Sequence, residues 1–240
     1  MRAETRHQLK EDRFSKVTLQ AAEQTVHWSE AHKSKLVAAS IAAVLVAAIG
    51  FGGWYYMNTQ DEKASVELSS AGRVLEEPIR PAGVPEQPGY PSFASSQDRA
   101  TASRKLFQAI IDKYPHTHTA DMARYFVGLT SSQLGDNAAA EKALQEVAQG
   151  SNKDVAALAR LALASVYAAE NKGSQAVDTY KQLIENPTLS VSKVMAQLEL
   201  AGYYANHQKP DEAKRIYDQI QKENPATEAA QLAQQKASKL

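Results

Sequence analysis

The feature that most limits what this chain can fold into is a spacing. Three segments carry a small residue followed by large apolar residues four and seven positions on: Ala140/Leu144/Val147, Ala176/Tyr180/Leu183 and Ala213/Tyr217/Ile220. A fourth, Ser103/Phe107/Ile110, precedes them, and successive sets begin 36 or 37 residues apart. Positions i, i+4 and i+7 fall on one face of an α-helix. A small residue there lets a partner helix approach closely, and the large residues fill the space against the next pair. Gly128, Ala164 and Ala201 stand upstream as the matching small residues of the partner helices, with Tyr167 and Tyr204 three residues after the last two. The chain is thereby directed towards stacked helical hairpins.

Turn signals divide the sequence at the intervals this requires. Breaks fall at Tyr114-Pro115, Leu134-Gly135-Asp136, Gly150-Ser151-Asn152, Asn171-Lys172-Gly173, Asn186-Pro187, Lys209-Pro210 and Asn224-Pro225. They predict helices over 98–114, 120–133, 137–149, 154–170, 174–185, 191–206, 211–223 and 226–238. The fold class expected is all-α. The repeat resembles the tetratricopeptide repeat, whose period is about 34 residues, over roughly 98–225. It departs from that pattern at the tryptophan-like first position, which holds Arg124, Arg160 and Gln197. The resemblance implies a helical-hairpin solenoid over 98–240 whose last helix caps the stack. Residues 61–77 are a candidate first helix of an initial repeat, with a proline-rich segment inserted in its turn.

A second feature lies upstream. Residues 36–57 run LVAASIAAVLVAAIGFGGWYYM, 22 residues without a charge, and about 20 apolar residues suffice to cross a bilayer core as a helix. Trp54, Tyr55 and Tyr56 close it with rings that favour a lipid–water interface, and Lys33 and Lys35 flank the other end. A cleaved signal peptide fits poorly, because 35 residues precede a stretch longer than a signal core and no good small-residue cleavage site follows closely. The basic residues Arg2, Arg6, Lys10, Arg13, Lys16, Lys33 and Lys35 precede the stretch, whereas only Lys63 and Arg73 fall in the 20 residues after it. That bias predicts a cytoplasmic N-terminus and a C-terminal domain on the other side.

The domain reading is therefore a cytoplasmic tail over 1–35, a transmembrane helix over 36–57, a juxtamembrane helix and proline-rich loop over 58–97, and the repeat domain over 98–240. In the tail, Phe14, Val17, Ala21 and Trp28 have roughly helical spacing, so it reads either as an amphipathic surface helix or as a solvated segment. Five prolines in the 20 residues 78–97 exclude a helix there and predict an extended loop.

Composition excludes several functions. The 27 basic and 27 acidic residues cancel, which gives no basic stripe for nucleic acid. There is no cysteine for a disulfide or a thiolate. His27 and His32 are five apart and miss the four-residue spacing of a helical metal pair, while His116 and His118 sit in a loop. No nucleophile elbow, phosphate loop or dinucleotide fingerprint is present. No catalytic residue, metal, cofactor or small-molecule substrate is expected, and the reading is of a protein-binding chain rather than an enzyme.

The first helices of such hairpins line a concave groove. Repeat alignment places Met122, Tyr125, Leu129, Ser132 and Gln133 there, then Leu158, Leu161, Ser165, Ala168 and Ala169, then Met195, Leu198, Gly202, Ala205 and Asn206. This surface is apolar and nearly uncharged, suited to an amphipathic helix or an extended peptide. The alternative is that residues 61–77 or a neighbouring helix fill it. The order of elements, with a basic tail, one span and then repeats, resembles the YfgM-like proteins of the bacterial inner membrane. That resemblance implies an inner-membrane, periplasm-facing protein ancillary to the Sec translocon. Its implied partners are translocon subunits, periplasmic chaperones or secreted chains. The proline-rich insertion departs from the simplest form of that family. A structural scaffold in cell-envelope assembly or division is the alternative function.

Overall fold

The computed structural model describes residue 28 and residues 30–85 and 87–240. The amphipathic pattern through Phe14, Val17 and Ala21 lies outside the described residues. Trp28 is exposed and stacks on His32, with ring centroids 4.9 Å apart. The helices are α1 (Lys33–Glu76), α2 (Ser96–Lys113), α3 (His118–Gln133), α4 (Asn137–Ala148), α5 (Lys153–Ala169), α6 (Gly173–Glu185), α7 (Lys193–Asn206), α8 (Pro210–Glu223) and α9 (Glu228–Ala237). Each expected helix from residue 98 onwards is present, with ends displaced by at most two residues. The separate spans expected over 36–57 and 58–77 form one helix instead. Nothing between them, from Asn58 to Glu62, is a proline or glycine that would break it. By its contacts the chain divides into two units, Met1–Tyr56 and Met57–Leu240.

In the first unit every described side chain from Lys33 to Tyr56 is exposed, including Ile41, Val46, Ile49, Phe51 and Trp54. Residues of this stretch make a helix long and apolar enough to cross a membrane.

In the second unit the helices are set by their caps. Thr117, Ser192 and Thr227 each accept a backbone N–H three residues on, and Asn152 accepts from two, satisfying donors that the first helical turn leaves open. The turns inside the hairpins reverse through one left-handed residue at a constant place: Gly135 (φ 78°), Asn171 (φ 59°) and Gln208 (φ 58°).

Packing follows the triplets. Ala140, Ala164, Ala176, Ala201 and Ala213 are all completely buried, as are Leu144 and Ile220. One cluster joins α4, α5, α6 and α7 through Leu144, Leu163, Tyr167, Tyr180 and Leu200. Another joins α7, α8 and α9 through Ala201, Tyr217, Ile220 and Ala233. The C-terminal part of α1 acts as the first helix of an initial hairpin: Ala64 and Ala71 are buried against Phe107, Ile110, Tyr114, Ala123 and Val127. Its polar edge is tied as well. Glu67 accepts hydrogen bonds from Lys113 Nζ and the Tyr114 hydroxyl, and Asp61 accepts from the Thr119 backbone at 2.8 Å.

The proline-rich connection between α1 and α2 is folded rather than extended. Pro81-Ala82-Gly83-Val84 and Gln87-Pro88-Gly89-Tyr90 are hydrogen-bonded turns with glycine at φ 81° and 83° in the third position, the type II pattern. The loop's base is closed by an isolated bridge between Ile79 and Phe93, by Arg80 donating to the Ser92 carbonyl at 2.7 Å, and by Arg99 donating to the Glu77 carbonyl at 2.8 Å. A cavity of about 610 Å³ opens between the end of α1 and this loop, lined by residues such as Glu76, Pro78, Ile79, Val84 and Tyr90.

Two outcomes test this packing. A Cβ built on Gly128 meets Leu144 Cγ at 2.5 Å, and Leu144 is fully buried and cannot swing aside. Gly→Ala in a helix ordinarily stabilises by about 1 kcal/mol, but overpacking costs about 1–3 kcal/mol. Gly128→Ala should therefore lower the urea midpoint of the repeat domain, not raise it. Glu67 titrates below its ordinary value because Lys113 and Tyr114 donate to its charged form. A carboxyl depressed in the folded state adds stability above its unfolded pKa and loses it as pH falls through the folded value. Urea unfolding between about pH 5 and about pH 3 should accordingly show a smaller fall in midpoint for Glu67→Gln than for the parent, the difference being small because the pair is solvent-exposed.

Candidate partner-binding groove

The positions expected to line the groove separate into two groups once packing is known. Met122, Tyr125, Leu129, Leu158, Leu161 and Leu198 are half-buried, whereas Gln133, Ser165, Met195 and Asn206 are exposed. Met122, Tyr125 and Leu161 pack against the central cluster, and Leu158 and Leu161 also cover Leu183, Val191 and Ala196. Burial raises the Tyr125 phenol above its ordinary pKa. These residues serve two purposes: they support the stack from below and present their remaining surface to solvent. Residues 61–76 do not lie among those packed around Leu158 or Leu198; they belong to the cluster of the first hairpin.

Part of the expected set converges on one open cavity of about 460 Å³. Ser165 and Ala168 enter it from α5, Leu198 and Gly202 from α7, and Asn206 from the end of α7. Met122, Tyr125, Leu129, Gln133, Leu158, Leu161 and Met195 are not among its lining residues. The cavity has further walls that the repeat alignment does not assign to the groove: Tyr180 from α6, Glu199 and Tyr203 from α7, His207 after it, and Leu232 and Lys236 from α9. Tyr180 reads in sequence as a core filler, and its ring is indeed nearly buried, but its hydroxyl reaches Ser165 Oγ at 3.4 Å. Burial raises its pKa, and the charge of Glu199 pushes in the same direction, against the Ser165 hydrogen bond.

The aromatic wall is ordered. His207 stacks on Tyr203 with centroids 4.1 Å apart, and its Nδ1 lies 2.8 Å from the Tyr203 carbonyl. Tyr180 stands 6.4 Å from Tyr203, ring to ring, in a tilted arrangement. The i, i+4 spacing of Tyr203 and His207, and of Leu232 and Lys236, is the sequence signal that each pair shares a helix face. Among the described residues, no three of the histidine and acidic side chains gather as a metal site would need.

Residues 26–240 match the family model described as a tetratricopeptide repeat-like domain, and the chain belongs to that family. The sequence has no match among curated proteins. A solved structure with a similar fold is that of a tetratricopeptide repeat protein from Parabacteroides merdae ATCC 43184, at 16% sequence identity and a TM-score of 0.50. The match covers 72% of this chain and 58% of that one, so this chain spans less than two thirds of the length of its structural relative. Domains of this class generally mediate protein–protein interaction and typically serve as non-enzymatic scaffolds.

Gly202 supplies a test of the site that separates it from the core. A Cβ there meets nothing within 4 Å, although the residue lines the cavity. Gly202→Ala should keep or raise the urea midpoint, by up to about 1 kcal/mol in stability, and the contrast with Gly128→Ala is read in the same unfolding assay.

Proposed function

We propose that this chain is a membrane-anchored adaptor that holds segments of other proteins in the groove of its repeats. In this reading 36–57 spans the inner membrane of a bacterium, the N-terminal tail faces the cytoplasm and the repeats face the periplasm. The adaptor works beside the secretion translocon and periplasmic chaperones. The observation that carries it is the convergence of Ser165, Leu198, Gly202 and Asn206 from two first helices on one open cavity with apolar and aromatic walls. Pockets that bind partner segments combine such apolar surface with a few polar groups that fix orientation. The uncharged stretch with Trp54, Tyr55 and Tyr56 at one end, and the excess of basic residues before it, support the anchor and its direction. The alternative is a scaffold for envelope assembly or division, to which the same repeat surface is suited.

The test is photo-crosslinking in intact cells from a reactive residue replacing Leu198, with the same replacement at Tyr125 as a comparison. Adducts with translocon subunits, periplasmic chaperones or emerging secreted chains are expected from Leu198. Tyr125, packed against the core, should give mainly internal products. Only internal adducts from Leu198 would remove the groove from consideration. Adducts confined to envelope-assembly proteins would transfer the role to the scaffold reading.

A further inference from the structure

Leu189 is 98% exposed, more than any other large apolar residue among those described; Ile49, in the stretch 36–57, follows at 75%. A single leucine on a surface signifies little by itself, but this one stands on a pinned connection between α6 and α7. Thr188 N–H donates to the Val191 carbonyl at 2.9 Å, and Val191 N–H donates to Thr188 Oγ1 at 3.1 Å. Asp154, in the first turn of α5, accepts the Ser190 N–H at 3.0 Å. That bond, with further ones from the Thr188 and Ser190 hydroxyls and the Leu189 N–H, holds the Asp154 carboxyl below its ordinary value. Val191 is fully buried in a cluster with Ala157, Leu183 and Ala196. The connection therefore turns Val191 inwards and fixes Leu189 outwards.

Thr188, the residue before this leucine, is also a wall of a cavity of about 580 Å³. Opposite walls are Lys153 and Arg160 of α5, with Gln182 and Asn186 at the end of α6. Lys153 and Arg160 are seven residues apart, which puts them on one face of α5 and about 10 Å apart along its axis. Neither makes an ion pair among the described residues, and no carboxylate lines the cavity. Arg160 gives one N–H to the Ala148 carbonyl, a neutral group that leaves its charge uncompensated. Asp154, beside Lys153 in sequence, is not a wall, and its carboxylate is taken up by the pinned connection. The end of α6 adds about half a negative charge. There the Gln182 carbonyl already accepts from the Asn186 N–H at 3.0 Å and from its side-chain amide at 3.1 Å. Two full positive charges outweigh that end, so the cavity favours an anion over a cation.

We propose that Leu189 and the cavity beside it form a second protein-docking surface, which takes a partner segment carrying an aspartate or glutamate next to an apolar side chain. The carboxylate enters between Lys153 and Arg160, where charge-assisted hydrogen bonds are available, and the apolar side chain covers Leu189. Both act on one segment because Thr188 joins them: it is a wall of the cavity and the chain neighbour of Leu189. This surface and the groove cavity share no wall residue, so the proposal does not rest on the role of the groove.

The test pans a phage-displayed library of random peptides on the full chain in nanodiscs of neutral phosphatidylcholine. Peptides recovered on the parent are sorted by loss of binding to Leu189→Ser. Those that depend on Leu189 should carry an aspartate or glutamate beside an apolar residue, and added salt should weaken their binding. Synthetic copies are then titrated by fluorescence anisotropy. Replacing their acidic residue by glutamine should weaken binding about two- to fivefold, the size of a partly exposed ion pair. Lys153→Glu should weaken it by more, because repulsion replaces attraction, and Asn206→Ala in the groove should leave it unchanged. Leu189 and Lys153 are exposed, and an unchanged urea midpoint shows that each variant is folded. Recovery of no Leu189-dependent peptide, or of peptides whose acidic residue is dispensable, would overturn the proposal. Dimerisation of the parent that Leu189→Ser abolishes would give the surface to a second copy and overturn it as well. Crosslinking from Leu198 tests the groove separately, so the two readings fail independently.

Discussion

The structure depends on how closely two helices of a hairpin can approach. In three successive hairpins the approach is made by a small residue on each side, twelve positions apart in sequence: Gly128 and Ala140, Ala164 and Ala176, Ala201 and Ala213. All six are buried, and at Gly128 the facing Leu144 occupies the space that a methyl group would need. Close contact brings the large residues Leu144, Tyr180 and Tyr217 within reach of the next hairpin, where each is almost fully buried. Because these contacts are between neighbours, the stack grows by repetition and needs few long-range pairings to specify it. The first helices keep some outward positions open in this arrangement, Ser165 of α5 and Asn206 of α7 among them, and these border the cavity.

This explains why the fold was readable from the residues and the cavity only in part. Periodic small and large positions announce hairpins directly, and proline, glycine and asparagine mark their ends. The groove positions then follow by counting, and Ser165, Leu198, Gly202 and Asn206 do meet at one cavity. Counting assigns a residue to one helix face, however, and cannot show how far a long side chain reaches across a junction. Tyr180 belongs by its spacing to the core, yet its hydroxyl meets Ser165 on the groove side. Leu232 and Lys236 read as part of a capping helix, and they become cavity walls only because α9 folds back against α7 and α8.

The same limitation hid the purpose of the irregular positions. Where the repeat pattern has an aromatic residue, Arg124 and Arg160 reach back to the preceding hairpin: Arg124 Nη2 donates to the carbonyl of Pro115, in the turn just beyond the cap of α2, at 3.0 Å, and Arg160 Nη2 donates to that of Ala148, the last residue of α4. At Ala148 the carbonyl is in the final turn, which lacks intrahelical partners and carries the negative end of the helix dipole, so a cation there is favourable. Position 197 has a glutamine that is almost fully buried instead. In sequence these three residues look like losses of the repeat signature. In space, both arginines latch one hairpin to the next with polar contacts.

The cavity sits where the stack has least support. Its α5 wall is held by the hairpins on either side and its α7 wall by the preceding hairpin and by α8, whereas α9, which provides Leu232 and Lys236, is a ten-residue helix held chiefly by Ala230 and Ala233. Terminal helices with little buried surface open at lower free energy than the core. The width of the cavity is therefore governed by its least stable wall, while Tyr180, Tyr203 and His207 remain fixed by ring contacts and burial on the other side. One rigid aromatic wall and one adjustable wall can admit side chains of different length without disturbing the hairpins beneath. In the adaptor role proposed above, that combination suits recognition of a type of segment rather than a single sequence.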